Sequence, residues 1–114
     1  MLFFVKAEFI EENNAGKPMQ DVMTFIERTI APSLEALEKA IQTKKITGGL
    51  AAGERVGYFI MEASSPEEIG EYLRNMPFWI AMKWTVVPLQ SPRSANEQDK
   101  AAMQKAKAML SGQR

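Results

Sequence analysis

A chain of 114 residues with 14 basic and 14 acidic side chains fits one domain, and its zero net charge leaves no electrostatic footprint for nucleic acid or a membrane surface. It holds neither cysteine nor histidine, which excludes a disulfide framework, a thiolate nucleophile, the commonest haem and zinc ligand and the base of serine-type triads. With no apolar run of membrane-spanning length and no secretory h-region, the expectation is a cytoplasmic protein that uses no metal or cofactor, its acid and base work falling to Glu, Asp, Lys or Tyr.

Residues 2–10 are rich in Phe, Val and Ile at strand length, and a string of turn formers from Glu11 to Pro18 follows. From Met19 the apolar residues Met23, Ile26, Ile30, Leu34, Leu37 and Ile41 recur at spacings of three and four, one stripe on one helix face. Pro32 interrupts this helix by removing a backbone donor and predicts a kink near Arg28 to Pro32. Residues 45–52 read as a weak strand with Gly48-Gly49 as a bulge or a close backbone approach, and Ala52-Gly53-Glu54 turns into a stronger strand over 55–63. Ser65-Pro66-Glu67-Glu68 opens a helix, with Ser65 as cap and Glu68 closing a capping box, which accounts for the paired acids without a catalytic role. Met76-Pro77-Phe78-Trp79 forms a corner before a last strand over 80–89. Residues 91–93 read as a linker, and Ser94 with Glu97 as a second capping box before a terminal helix striped by Ala102, Met103, Ala106, Met109 and Leu110.

This order is β-α-β-β-α-β, the ferredoxin-like α+β arrangement, with a C-terminal helix added. Residues 1–90 are the expected domain, and 91–114 a linker and helix packing on it or on a partner. Right-handed crossovers place both internal helices on one face of the antiparallel sheet. Because the strands carry apolar residues on both faces, the uncovered face calls for a second subunit: a homodimer or higher homo-oligomer with sheets face to face and the terminal helix reaching across the partner.

On the first strand the odd residues Phe3, Val5, Ala7 and Phe9 are all apolar, so Phe4, Lys6 and Glu8 fall on the face away from the helices. Lys83 and Thr85 fall there from the last strand. The third strand is ambiguous, since Val56, Tyr58 and Ile60 and also Gly57, Phe59 and Met61 would pack; Arg55 favours turning the odd set, with Phe59, toward that face. The first strand lies between the third and fourth in this topology, which gathers Lys6, Glu8, Arg55 and Lys83. Three cations and one carboxylate among apolar walls suit a small organic anion, and solvated charges or an internal ion pair are the bland reading of the same residues. Arg55-Val56-Gly57-Tyr58-Phe59-Ile60 fails the basic-Gly-aromatic frame of RNA-recognition strands, and the eight methionines read as adaptable packing.

Met1-Leu2-Phe3 with Val5-Lys6, Ala52-Gly53 with Tyr58, and Pro77-Phe78 before the last strand resemble the muconolactone isomerase-like family of dimeric α+β barrels. The resemblance implies a proton moved within an unsaturated lactone that carries a carboxylate. The chain departs from the family pattern at Phe4, where a histidine is expected, at Glu54, and at Gly57, where an Asn is expected. Three readings follow. The first is an isomerase-like enzyme acting on a small organic acid or lactone, with Glu8 as base, Lys6 and Arg55 or Lys83 holding the carboxylate and stabilising the enolate, and Phe4, Phe59 and Trp79 lining the site. The second is a non-catalytic ligand-binding or interaction dimer. The third is a cofactor-free monooxygenase-like enzyme with Trp79 and Phe59 flanking an aromatic substrate.

Overall fold

The computed structural model describes residues 1–112, so the last two residues of the 91–114 segment lie outside it. Four strands, β1 (Leu2–Phe9), β2 (Ile46–Leu50), β3 (Val56–Glu62) and β4 (Met82–Leu89), form one antiparallel sheet in the order β2-β3-β1-β4. The helices are α1 (Met19–Phe25), α2 (Ala31–Gln42), α3 (Pro66–Arg74) and α4 (Pro92–Gly112). This is the ferredoxin-like α+β fold that the order of elements predicts. Among the described residues no helix is long and apolar enough to cross a membrane.

The core lies between one sheet face and the helices. Phe3, Val5, Phe59 and Met61 project from the sheet against Leu37 of α2, Ile69 and Leu73 of α3, and Phe78 of the corner before β4. Alternation along β1 is clean: every odd residue from Phe3 to Phe9 is buried, and no even one is. Ser65 caps α3 by accepting from the Glu68 N–H at 3.2 Å, and Pro66 stands at the first helical position. The Glu68 carboxylate reaches one residue further back than the capping box predicts, accepting from the N–H and the hydroxyl of Ser64.

The third strand turns the other way from the expectation. Phe3 lies opposite Met61, Val5 opposite Phe59 and Ala7 opposite Gly57, and cross-strand partners share a face. The odd residues of β3 therefore meet the helices, while Tyr58 and Ile60 join Phe4 and Lys6 on the open face. Composition left both faces of this strand apolar, so the register with β1 decides.

The helix with Pro32 does not break. A single π turn, Ile26–Ile30, joins α1 to α2, with the Ala31 N–H reaching back to the Ile26 carbonyl. A proline ring crowds the carbonyl four residues before it, and a wider turn relieves that crowding without ending the helix. Beyond the turn Leu37 is in the core with Ile30, Leu34 and Ile41 beside it, whereas Met19, Met23 and Ile26 stay exposed. The apolar stripe thus packs only along its second half.

α4 begins three residues earlier than predicted. Ser91 caps it by accepting from the Ser94 N–H at 3.0 Å, and Pro92 follows at the first position, repeating the Ser-Pro start of α3. No residue of α4 is buried. It extends from the end of β4 as an arm, giving the molecule extents of 75 × 33 × 26 Å.

Candidate functional site

Two places gather polar groups against apolar walls. The first is the open sheet face. Lys6 stands between Tyr58 of β3 and Thr85 of β4, and Glu8 between Val56 and Lys83. Lys6 and Glu8 form an ion pair, and the Lys6 ammonium lies 5.9 Å from the centre of the Tyr58 ring, which in turn tilts toward Phe4 at 6.4 Å. The hydrogen bond from Lys6 holds the Glu8 carboxyl below its ordinary range, and the same bond raises Lys6. A general base needs a proton affinity near the working pH. Glu8 is moved the opposite way, and its side chain is committed to Lys6.

The second place is a cavity of about 320 Å³ between the sheet and the first helical layer. The π turn supplies Ile26 and Ile30, the flanking helices Phe25 and Leu34, and the sheet layer Phe9, Val56, Gly57 and Met82. Only Asn14, Glu54 and Arg55 are polar among the side chains that line it. All three come from the loops at one end of the sheet: Asn14 closes the short 3-10 turn after β1, and Glu54 and Arg55 end the β2–β3 turn. The Arg55 carbonyl accepts from the Phe9 N–H at 3.0 Å, and its guanidinium lies 5.4 Å from the centre of the Phe9 ring. The Lys6–Glu8 pair is the one ion pair among the described residues, which leaves the Arg55 cation without a carboxylate partner there.

The predicted residues therefore divide. Phe4, Lys6, Glu8 and Lys83 share the open face as expected. Arg55 belongs instead to the helix side, at the mouth of the cavity, although it also borders a shallow depression shared with Glu8, Glu11 and Glu54. Phe59 is not on the open face at all: it is buried in the core opposite Val5. Trp79 lies in a short 3-10 turn, stacked on Trp84 at 5.5 Å with the Arg74 guanidinium 5.0 Å from its ring, and the Trp84 indole N–H donates to the Trp79 carbonyl at 3.0 Å. Neither Phe59 nor Trp79 lines the cavity. Glu54, Asn14 and the π-turn isoleucines were not among the residues the sequence marked for the site, although Glu54 was noted as a departure from the family pattern; Pro32 was the one signal of an irregular, cavity-lining turn.

Comparison with solved structures finds the same fold in muconolactone isomerase, determined by crystallography at 3.3 Å resolution. The TM-score is 0.59 at 19% sequence identity, covering 81% of this chain and 92% of that one. No family model matches the chain, and no curated protein does. The ferredoxin-like α+β fold implied by the short motifs of β1, the β2–β3 turn and the Pro77-Phe78 corner is thereby shown for the single chain.

Proposed function

We propose that this protein binds a small, largely apolar organic acid or lactone in the cavity between sheet and helices, with the acidic or carbonyl end of the ligand turned to Arg55. The observation that carries this reading is the distribution of polarity: a half-open, largely apolar space of small-molecule size with a cation and two further polar groups at one end. An arginine beside an aromatic ring, held in place by its own backbone hydrogen bond, is suited to a planar carboxylate.

Thermal-shift titration with lactones, dicarboxylates and aromatic acids tests it. A hit stabilises the wild type; Arg55→Ala weakens the hit roughly tenfold or more, as loss of a charge-assisted hydrogen bond does; Ile30→Trp fills the cavity and abolishes it. Lys6→Ala, on the other face of the sheet, binds like the wild type. Retained binding in Ile30→Trp with loss in Lys6→Ala would move the site to the open face and sink the reading.

Isomerase-type proton transfer is the second reading, favoured by Glu54. Its carboxylate lines the same cavity as Arg55, so it can take a proton from the carbon beside a lactone carbonyl and return it to the far end of the conjugated system, with Arg55 facing the enolate oxygen between the two transfers. The step is internally balanced and needs no oxidant. Turnover of a bound lactone that disappears in Glu54→Gln while binding persists is the expected result.

A further inference from the structure

The polar end of the cavity holds one anion, one cation and one amide. Glu54 and Arg55 are consecutive residues of the β2–β3 turn and both line the space, and Asn14 joins them from the turn after β1. That turn is tied down at its neighbours: the Asn13 side-chain amide and the Ile10 N–H both donate to the Ala81 carbonyl, at 3.2 and 3.1 Å. Glu54 and Arg55 do not pair with each other, since the Lys6–Glu8 contact is the one ion pair among the described residues. Both charges are therefore open to a ligand.

An adjacent, unpaired anion and cation at the end of an apolar space restrict what can enter. A plain carboxylic acid that meets Arg55 also brings its negative charge beside the Glu54 carboxylate, and like charges oppose each other. A plain amine on Glu54 is disfavoured by Arg55 in the same way. The depression just outside adds to the bias: with Glu8 held by Lys6, Glu11 and Glu54 remain there against Arg55, which discourages a bare anion. A carboxylate only accepts hydrogen bonds and a guanidinium only donates them. Both are satisfied together by a ligand that presents a donor cation and an acceptor anion side by side.

We infer that the cavity takes a zwitterion: an α-amino acid with a large apolar side chain, its ammonium on Glu54, its carboxylate on Arg55 and its side chain directed inward. This rests on the binding reading above and adds to it the group that Glu54 recognises. An α-amino acid carries its two charges on one carbon, which suits partners whose Cα atoms are about 3.8 Å apart. The Asn14 carboxamide both donates and accepts, so it can serve either group. The rest of the wall suits the side chain, since Phe9, Phe25, Ile30, Leu34, Phe78 and Met82 are all apolar. A volume of about 320 Å³ equals about ten waters at roughly 30 Å³ each, room for a side chain of leucine to phenylalanine size.

Ligand-observed NMR titration of the full chain at neutral pH, with probes of one shape, tests this. The probes are L-phenylalanine, hydrocinnamate, which lacks the amine, and phenethylamine, which lacks the carboxylate. The wild type is expected to bind L-phenylalanine about fivefold more tightly than either, the weight of one solvent-exposed charge contact. Glu54→Gln weakens L-phenylalanine and phenethylamine but strengthens hydrocinnamate, whereas Arg55→Ala weakens L-phenylalanine and hydrocinnamate but strengthens phenethylamine. Opposite signs within one variant do not arise from a damaged fold. Ile30→Trp abolishes L-phenylalanine binding, which places it in the cavity. Hydrocinnamate binding as tightly as L-phenylalanine, or an amino-acid preference unchanged in Glu54→Gln, overturns the zwitterion and leaves the organic-acid reading standing. Phenethylamine binding as tightly as L-phenylalanine overturns both. Absence of binding by all three probes overturns the zwitterion, and the titration with lactones and dicarboxylates then decides the organic-acid reading alone.

Discussion

Ser33 ties the long helix to the corner before β4 through one oxygen. It is wholly buried, its hydroxyl donates to the Thr29 carbonyl at 2.9 Å, and it accepts from the Phe78 N–H at 3.0 Å. Ser33→Ala leaves that backbone N–H buried without a partner, so urea denaturation is expected to show a loss of about 1–3 kcal/mol. Charged groups add a pH dependence whose sign is fixed. Glu8 and Glu68 both titrate below the ordinary carboxylate value of 4.5, Glu8 through its hydrogen bond from Lys6 and Glu68 through that from the Ser64 hydroxyl. Folded carboxyls with lowered proton affinity contribute stability that is present above the unfolded value and lost as pH falls through the folded one. Thermal melts should therefore decline below about pH 4.5, and Glu68→Gln should flatten that decline; an unchanged acid limb in the variant would remove Glu68 from the account. At this scale the Ser65 cap was legible, because Ser-Pro-Glu-Glu carries its own local chemistry. The role of Ser33 was not, since it depends on Phe78, distant in sequence; Arg55 was singled out as an anion-holding cation, but its side of the sheet, set beside Phe9 by strand pairing, was not legible.

Among the elements, β2 shows why two adjacent glycines are not equivalent. Gly48 has φ +135° and a side chain there would overlap the Tyr58 carbonyl oxygen, whereas nothing stands near a side chain at Gly49. Gly48→Ala is expected to cost at least about 2 kcal/mol, since backbone cannot move aside for it, and Gly49→Ala within about 0.5 kcal/mol of neutral; equal effects in chemical denaturation would refute the close approach. The sequence anticipated a bulge or tight contact at this pair without separating the two. Periodicity likewise placed the long helix and Pro32 placed its irregularity, but a kink and a π turn read alike until the Ala31 to Ile26 hydrogen bond is seen. The difference matters to the site, because a kink would redirect the helix while the wider turn sets Ile26 and Ile30 into the cavity wall. For β3 the pattern failed for a plain reason: two apolar faces carry no alternation, and Arg55 precedes the strand rather than belonging to it.

At the scale of the molecule, strand order and the side chosen by the helices were readable from the succession of elements alone, since handed crossovers leave few topologies. What lay beyond reading was the division of labour between the two sheet faces. The charged residues of β1 drew attention to the open face, yet the apolar cavity sits on the other side, where its polar groups come from loops of low pattern content. The arm has a consequence for how the protein behaves in flow and in scattering. A compact chain of this length has a radius of gyration of about 13 Å, whereas a single copy with its helix outstretched has 20.5 Å. An elution volume calibrated on globular standards would thus report an extended 12.8 kDa monomer as something much heavier. Mass must therefore be measured independently of shape.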